Sequence, residues 1–163
     1  MIVRAMRQAD WSAVARIYQE GMATGDATLE AGVPTWPEWD AAHRPEGRLV
    51  AEIDGEVVGW TALTSYSRRP VYAGVAWESV YVAEARRGRG IGRTLLEALI
   101  AAAEAAGIWT LLAGIEVENE PSLALHRQVG FRRLGVQERI GRDPTGRWRD
   151  VALLERRSTA VGL

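Results

Sequence analysis

Glu78 is a carboxylate inside an otherwise apolar run, Trp77-Glu78-Ser79-Val80-Tyr81-Val82, so it faces either solvent or a polar site. A glutamate acting there as a base through water would have a raised pKa, because burial opposes its charge. Just downstream, Arg87-Gly88-Arg89-Gly90-Ile91-Gly92-Arg93 interleaves arginines with glycines at alternate positions. Glycine lets backbone approach a ligand closely or adopt φ > 0. A helical pattern opens at about Ile91, and a helix start presents unpaired N–H groups and the positive end of the macrodipole. Strand, basic glycine turn and helix start in this order make an anion site suited to phosphate or pyrophosphate. The plainer reading is a basic strand-to-helix connection.

Two familiar phosphate loops do not fit the turn. A P-loop ends in Gly-Lys-Ser/Thr, but Gly92 is followed by Arg93 and Thr94. A dinucleotide fingerprint requires G-x-G-x-x-G, whereas Gly88, Gly90 and Gly92 read G-x-G-x-G. His126 is one of two histidines and falls on a short helical run. Imidazole titrates near neutrality and can donate or accept a proton, although a single histidine on a short helix is structural by default. His43 has no motif around it and reads as a surface residue.

The elements that must position these groups follow from pattern. Ile2 to Ala5 alternates like a first strand, and Asp10 suits the N-cap of a helix burying Val14, Ile17 and Tyr18. A polar stretch after Gly21 carries Pro34 and Pro37, with a short helix starting near Trp36 or Pro37. Trp36 and Trp39 are suited to closing the core. Residues 48–53 and 56–65 read as a hairpin around Asp54-Gly55. Residues 67–75 form a loop before the strand at 77–82. The next helix, from about Gly90 to Ala106, carries Leu95, Leu96, Leu99, Ile100 and Ala103 as an apolar stripe. Thr110 to Val117 reads as a buried strand, Asn119 onward as a short helix ending at Gly130, and 131–140 with 148–154 as a closing pair. The order β-α-α-β-β-β-α-β-α-β-β predicts an α/β (α+β) domain over residues 1–163, with a mainly antiparallel mixed sheet, helices on both faces and a frayed tail at 157–163.

Composition sets the outer limits. Apolar residues make up 47% and charged residues 25%, ordinary values for a globular chain. A net charge of −1 gives no general reason to expect nucleic-acid binding, so the arginine cluster is local. The absence of cysteine excludes disulfides, thiolate metal sites and a cysteine acyl-enzyme. Two histidines make a histidine-rich metal centre a poor fit, and no metal is expected. No 18-residue apolar run and no signal peptide is recognisable, so the expectation is a soluble cytoplasmic protein away from membranes.

Arg87 to Gly92 matches the R/Q-x-x-G-x-G/A turn of the GNAT N-acetyltransferases, and the element order resembles theirs across nearly the whole chain. Within that superfamily the sequence is most similar to the phosphinothricin and methionine sulfoximine/sulfone acetyltransferases. The matching pieces are Asp26-Ala27-Thr28-Leu29-Glu30, Glu78 to Val82, Asn119 to Phe131 (NEPSLALHRQVGF) and Gly146-Arg147-Trp148-Arg149-Asp150. Two departures fall where such enzymes bind the acceptor. The group usually has an aromatic residue in place of Leu29, and the AGVAWES loop before Glu78 has an apparent extra residue.

The resemblance implies acetyl transfer from acetyl-CoA to the α-amine of a small amino-acid-like substrate. It implies that the turn (Arg87, Gly88, Arg89, Gly90, Ile91, Gly92, Arg93) holds the pyrophosphate while Val80, Tyr81 and Val82 run beside the pantetheine. Asn119 would bond the pantetheine arm, a role compatible with its alternative as an N-cap. Glu78 is the implied base, and His126 is placed to protonate the thiolate or accept from the amine. Leu29, Glu30, Arg69 and Tyr72 are implied at the acceptor, with Arg69 pairing a carboxylate or phosphinate; a solvated loop arginine is the alternative. Trp148 lines the pocket, closes a homodimer interface or packs in the core. Competing functions are acylation of a protein N-terminus or lysine, and a non-catalytic acyl-CoA sensor needing neither Glu78 nor His126.

Overall fold

The computed structural model describes residues 1–163. Its strands are β1 (Ile2–Ala5), β2 (Leu49–Ile53), β3 (Glu56–Ser65), β4 (Val75–Val82), β5 (Thr110–Glu116), β6 (Arg132–Arg142) and β7 (Trp148–Arg157). Its helices are α1 (Trp11–Ala23), α2 (Trp36–Ala42), α3 (Ile91–Ala105) and α4 (Glu120–Gln128). The strands form one sheet in the order β1-β2-β3-β4-β5-β7-β6. Every pair is antiparallel except β4–β5.

Alternation along β3 divides the interior. Trp60 and Ala62 join Val14, Ile17 and Trp39 on the α1/α2 face, while Leu63 joins Leu96, Leu99 and Leu123 on the α3/α4 face. Successive strand residues point to opposite faces, so β3 serves both layers. Its burial is nearly continuous from Val57 to Leu63.

The parallel pair matters most for function. β4 and β5 are in register only from Val75–Trp77 against Thr110–Leu112. Beyond that, β4 stays bonded to β3 as far as Val82 and β5 to β7 as far as Glu116, so the two strands part from each other. The gap leaves backbone N–H and C=O groups at Glu78–Val82 without a strand partner on the β5 side. Such groups need another acceptor or donor.

Several sequence expectations are corrected here. Asp10 does not cap α1 with its side chain. Its carboxylate instead accepts from the Arg7 amide at 2.7 Å and from Arg4 at 2.8 Å, closing a short turn before the helix. α1 continues past Gly21 to Ala23, and the Gly21 position abuts the Tyr81 ring, where a Cβ would lie 2.7 Å from it. The frayed tail is instead tied down. Ser158 is 4% exposed, its amide bonds the Trp109 carbonyl at 2.8 Å and its hydroxyl bonds Glu104 at 2.9 Å. Arg157 then holds the carbonyls of Ser158 and Val161. His43 is half-buried, with its ring stacked 4.1 Å from that of Trp39 and Nδ1 2.7 Å from the Trp39 carbonyl oxygen. No helix is long and apolar enough to cross a membrane.

Candidate active site

The parting strands open onto a cleft of about 780 Å³ that runs along the start of α3. Val80, Tyr81, Val82, Arg87, Gly88, Gly90, Ile91, Gly92, Arg93 and Asn119 all line it. Arg89, expected with them, is exposed in the turn and does not line the cleft. Gly88 and Gly90 hold φ of 73° and 80°, the left-handed region that side chains other than glycine's resist. Gly90 is also the N-cap of α3, and no side chain caps that end. The first amides of the helix therefore face the turn without an intrahelical acceptor. Arg86, which the sequence reading left out, also lines the cleft, while bonding Glu56 at 3.2 Å.

A second, smaller cavity of about 90 Å³ lies between β4 and β5. It shares Asp26, Ala27, Val80, Tyr81, Asn119 and Ser122 with the cleft. Glu78 and His126, separated by 48 residues in sequence, meet at its wall with His126 Nε2 2.8 Å from Glu78 Oε1. The side chain of Glu78 is only 4% exposed and that of His126 1%. His126 Nδ1 lies 2.7 Å from the Ser122 carbonyl oxygen, which can only accept, so the Nδ1–H donates there. The short Nε2 contact to a carboxyl oxygen then requires one further proton, held between Glu78 and His126. Burial pulls the His126 pKa down, but the charge and hydrogen bond of Glu78 and the Ser122 carbonyl outweigh it, and the net direction is up. Phe131 packs edge-on against the imidazole at 5.0 Å and fixes its plane. Both ring nitrogens are engaged. Glu78 Oε2, by contrast, is buried with no hydrogen-bond partner.

Asn119 fills the capping role and does more. Its Oδ1 accepts from the Ser122 amide at 3.2 Å, while its Nδ2 donates to the Asp26 carbonyl at 3.0 Å. That second bond ties the 24–30 segment to α4. Tyr81 donates its hydroxyl to the Ala27 carbonyl at 3.4 Å, and burial above all raises its pKa, so it stays protonated. Arg149 fixes the same segment from below, bonding the Gly25 carbonyl at 2.6 Å and Asp26 at 2.5 Å.

The structure does not bring the other expected acceptor residues to this cavity. Leu29 packs against β6, where a Cβ on Gly141 would lie 2.5 Å from its Cδ1, and Glu30 is exposed beside it. Arg69 and Tyr72 lie on the loop before β4, with the guanidinium 5.4 Å over the Tyr72 ring, and line neither the cleft nor the cavity. Trp148 is 50% exposed, stacked under Arg142 at 4.3 Å. Glu116 was missed from the sequence, and Asp26, Ala27, Ser122 and Arg149, which lie in the matching pieces, were given no site role there. Glu116 carried the same signal as Glu78, a carboxylate in an otherwise apolar strand (TLLAGIE). No cluster of three or more His, Asp or Glu side chains is arranged to hold a metal ion.

A parallel strand pair that opens beside a glycine turn and an uncapped helix, with a buried acid–imidazole pair at the fork, defines a group-transfer enzyme site with a long anionic co-substrate. The chain belongs to the acetyltransferase (GNAT) family, whose pattern matches residues 11–131. It is 37% identical over 162 residues to a phosphinothricin N-acetyltransferase of Alcaligenes faecalis, covering 94% of this chain and 81% of that one. It is 30% identical to an L-methionine sulfoximine/L-methionine sulfone acetyltransferase of Salmonella typhimurium, covering 95% and 93%. The crystal structure of a GNAT phosphinothricin acetyltransferase from Sinorhizobium meliloti in complex with acetyl-CoA superposes with a TM-score of 0.87 at 28% identity, covering 99% of this chain and 90% of that one.

Proposed function

We propose that this protein transfers the acetyl group of acetyl-CoA to the α-amine of a small amino-acid-like acceptor of the phosphinothricin, methionine sulfoximine or methionine sulfone type. The observation that carries the reading is the Glu78–His126 pair, buried in a small cavity whose walls continue into the long cleft. The residues at the cleft suit a nucleotide thioester. The positive-φ turn at Gly88 and Gly90 and the open end of α3 suit a pyrophosphate, and the unpaired backbone of β4 suits the amides of a pantetheine arm.

Acetyl-CoA, when bound, supplies the thioester carbonyl that the amine attacks. The chain's own part is alignment and proton movement. Holding acceptor and donor in one orientation can remove roughly 7–11 kcal/mol from the barrier. Glu78 Oε2 is free to take the proton from the acceptor's ammonium, and a positioned base typically contributes about 10²–10⁴-fold. His126 acts through Glu78, holding the shared proton at Oε1 and leaving Oε2 unbonded. With its own nitrogens engaged, His126 is not a direct donor to the thiolate in this arrangement. The amine nitrogen forms the new C–N bond as the C–S bond breaks. Glu78 passes this first proton to the departing thiolate, then takes up the second proton, which the nitrogen loses as it becomes an amide, and releases it to solvent.

An assay of thiol release from acetyl-CoA tests the reading with L-methionine sulfone, L-methionine sulfoximine, phosphinothricin, an alanine-led peptide and no acceptor. Turnover is expected with the first three. Turnover with the peptide alone would overturn it in favour of protein acetylation. A cavity of about 90 Å³ takes an amine and its nearest carbons, which supports a small acceptor. We further propose a homodimer that covers the exposed face of β6 and β7, where Leu134, Val136, Ile140 and Trp148 are 39–54% exposed. Sedimentation at micromolar concentration showing a monomer would refute it.

A further inference from the structure

A second carboxylate lines the small cavity, and the transfer chemistry does not use it. Glu116 ends β5 with its side chain 3% exposed, and neither of its oxygens has a hydrogen-bond partner. Oε2 lies 3.1 Å from Arg149 Nη2 without hydrogen-bond alignment. The ion pair to Arg149 offsets part of the burial cost of Glu116 but leaves both its oxygens without a hydrogen bond. The guanidinium is already bonded to the Gly25 carbonyl at 2.6 Å, Asp26 at 2.5 Å and Glu118 at 3.1 Å, with Asp143 at 3.4 Å. One positive charge thus serves four carboxylates, and Arg149 itself does not line the cavity. Asp26, Glu78 and Glu116 do, against His126 as the one basic side chain in the wall.

A buried carboxylate without an aligned partner is costly, and a cation arriving there offsets the cost. Burial is also the first influence on Glu116 itself and raises its pKa. Arg149 opposes that shift, and the neighbouring acids Asp26, Glu118 and Asp143 add to it. Asp26 is bonded to Arg149 and Glu78 shares a proton with His126, so Glu116 is the carboxylate on this space still open to a small cation.

Building on the acetyl-transfer reading above, we propose that Glu116 is a specificity-determining residue that receives the acceptor's ammonium group. The acceptor class is then a primary alkylammonium that enters charged, is held between Glu116 and Glu78, and loses its proton to Glu78 only once seated. Any carboxylate, sulfone or phosphinate on the acceptor must project away from the β5 side of the cavity, toward its mouth.

The test is calorimetric binding to the CoA-saturated protein, using two pairs of probes. One pair is L-methionine sulfone and the analogue with a hydroxyl in place of the amine; the other is n-butylamine and n-butanol. The wild type is expected to bind the amine of a pair at least tenfold more tightly than the alcohol, and Glu116→Gln should lower that ratio at least fivefold, the remainder being due to Glu78. A ratio that Glu116→Gln leaves unchanged overturns the proposal, as does a wild type with no amine preference in either pair. Should Glu116→Gln fail to fold, Glu116→Asp keeps the charge but withdraws it, and at least a threefold fall in the ratio is expected; no change overturns the proposal. Acetyl transfer to L-methionine sulfone is measured alongside. Preference and Glu116 dependence in the butylamine pair without such transfer would refute the acceptor reading while upholding the role of Glu116.

Discussion

The anion end of the long cleft is built from a positive-φ turn and an open helix start, whereas the small cavity beside it is walled by charged side chains. Two neighbouring stretches form the anion end of the cleft: β4 from Val80 to Val82, then Arg86 to Gly88 and Gly90 to Arg93 at the turn and first helical residues. The cavity draws Asp26 from the segment after α1, Glu78 from β4, Glu116 from β5 and His126 from α4. A backbone-built site depends on φ, ψ and the ends of elements, so many sequences sustain it. A side-chain site depends on distant segments meeting with their charges balanced, and a single residue can change what it accepts. On the proposed function, the donor side is therefore the generic half of this enzyme and the acceptor side the individual half.

Four measurements would break or sharpen that contrast. Glu78→Gln should have the largest effect, lowering kcat by about 10²–10⁴-fold with little change in CoA affinity. An equal loss in both quantities would mean that the two sites are not separable.

Gly90→Val attacks the backbone-built side alone. No atom lies within 4 Å of a Cβ at Gly90, so the fold should survive, but φ of 80° is strained for valine. Strain of about 1–3 kcal/mol predicts a rise in the CoA dissociation constant of roughly 5- to 150-fold, read by calorimetry. Unchanged affinity in a folded variant would detach the turn from donor binding.

The shared proton makes stability depend on pH. The folded-state pKa of His126 is raised, so the folded protein holds its proton more tightly than the unfolded chain. That contribution is complete below the unfolded value of about 6.5 and fades as pH rises through the higher folded value. The Tm of the wild type should therefore fall across this window more steeply than that of His126→Gln. Parallel Tm profiles would show that the pair shares no proton.

The smallest effect is expected from Arg69→Ala. Here Arg69 is exposed and stands over Tyr72, outside the cavity, so any contact with an acceptor's anionic end is solvent-screened. Exposed pairs contribute roughly 0.2–1 kcal/mol, which predicts at most about a fivefold loss in kcat/KM for acidic acceptors and none for des-carboxy amines. A loss of a hundredfold would place Arg69 inside the acceptor site and overturn the division drawn above.

The sequence by itself determined the element order, the hairpin around Asp54-Gly55 and the donor turn. Each is a local matter: alternation along a strand, glycines that tolerate positive φ, and a helix start within a few residues of them. Glu78 was legible for the same reason, since one carboxylate in an apolar strand has to be explained where it stands. Glu116 was equally exposed to that argument, but the sequence could not say that β4 and β5 part after Trp77 and Leu112 and leave both carboxylates on one cavity. Nor could it show that Asn119, Arg149 and Tyr81 all bind the 25–27 backbone and so make Asp26 and Ala27 a wall of the site. Tertiary structure also decided the fate of the tail and of His126, whose nitrogens are taken up by Ser122 and Glu78. These outcomes depend on long-range meetings of polar groups. Local pattern specifies which way a residue faces; only the packed chain decides which group, arriving from elsewhere, it faces.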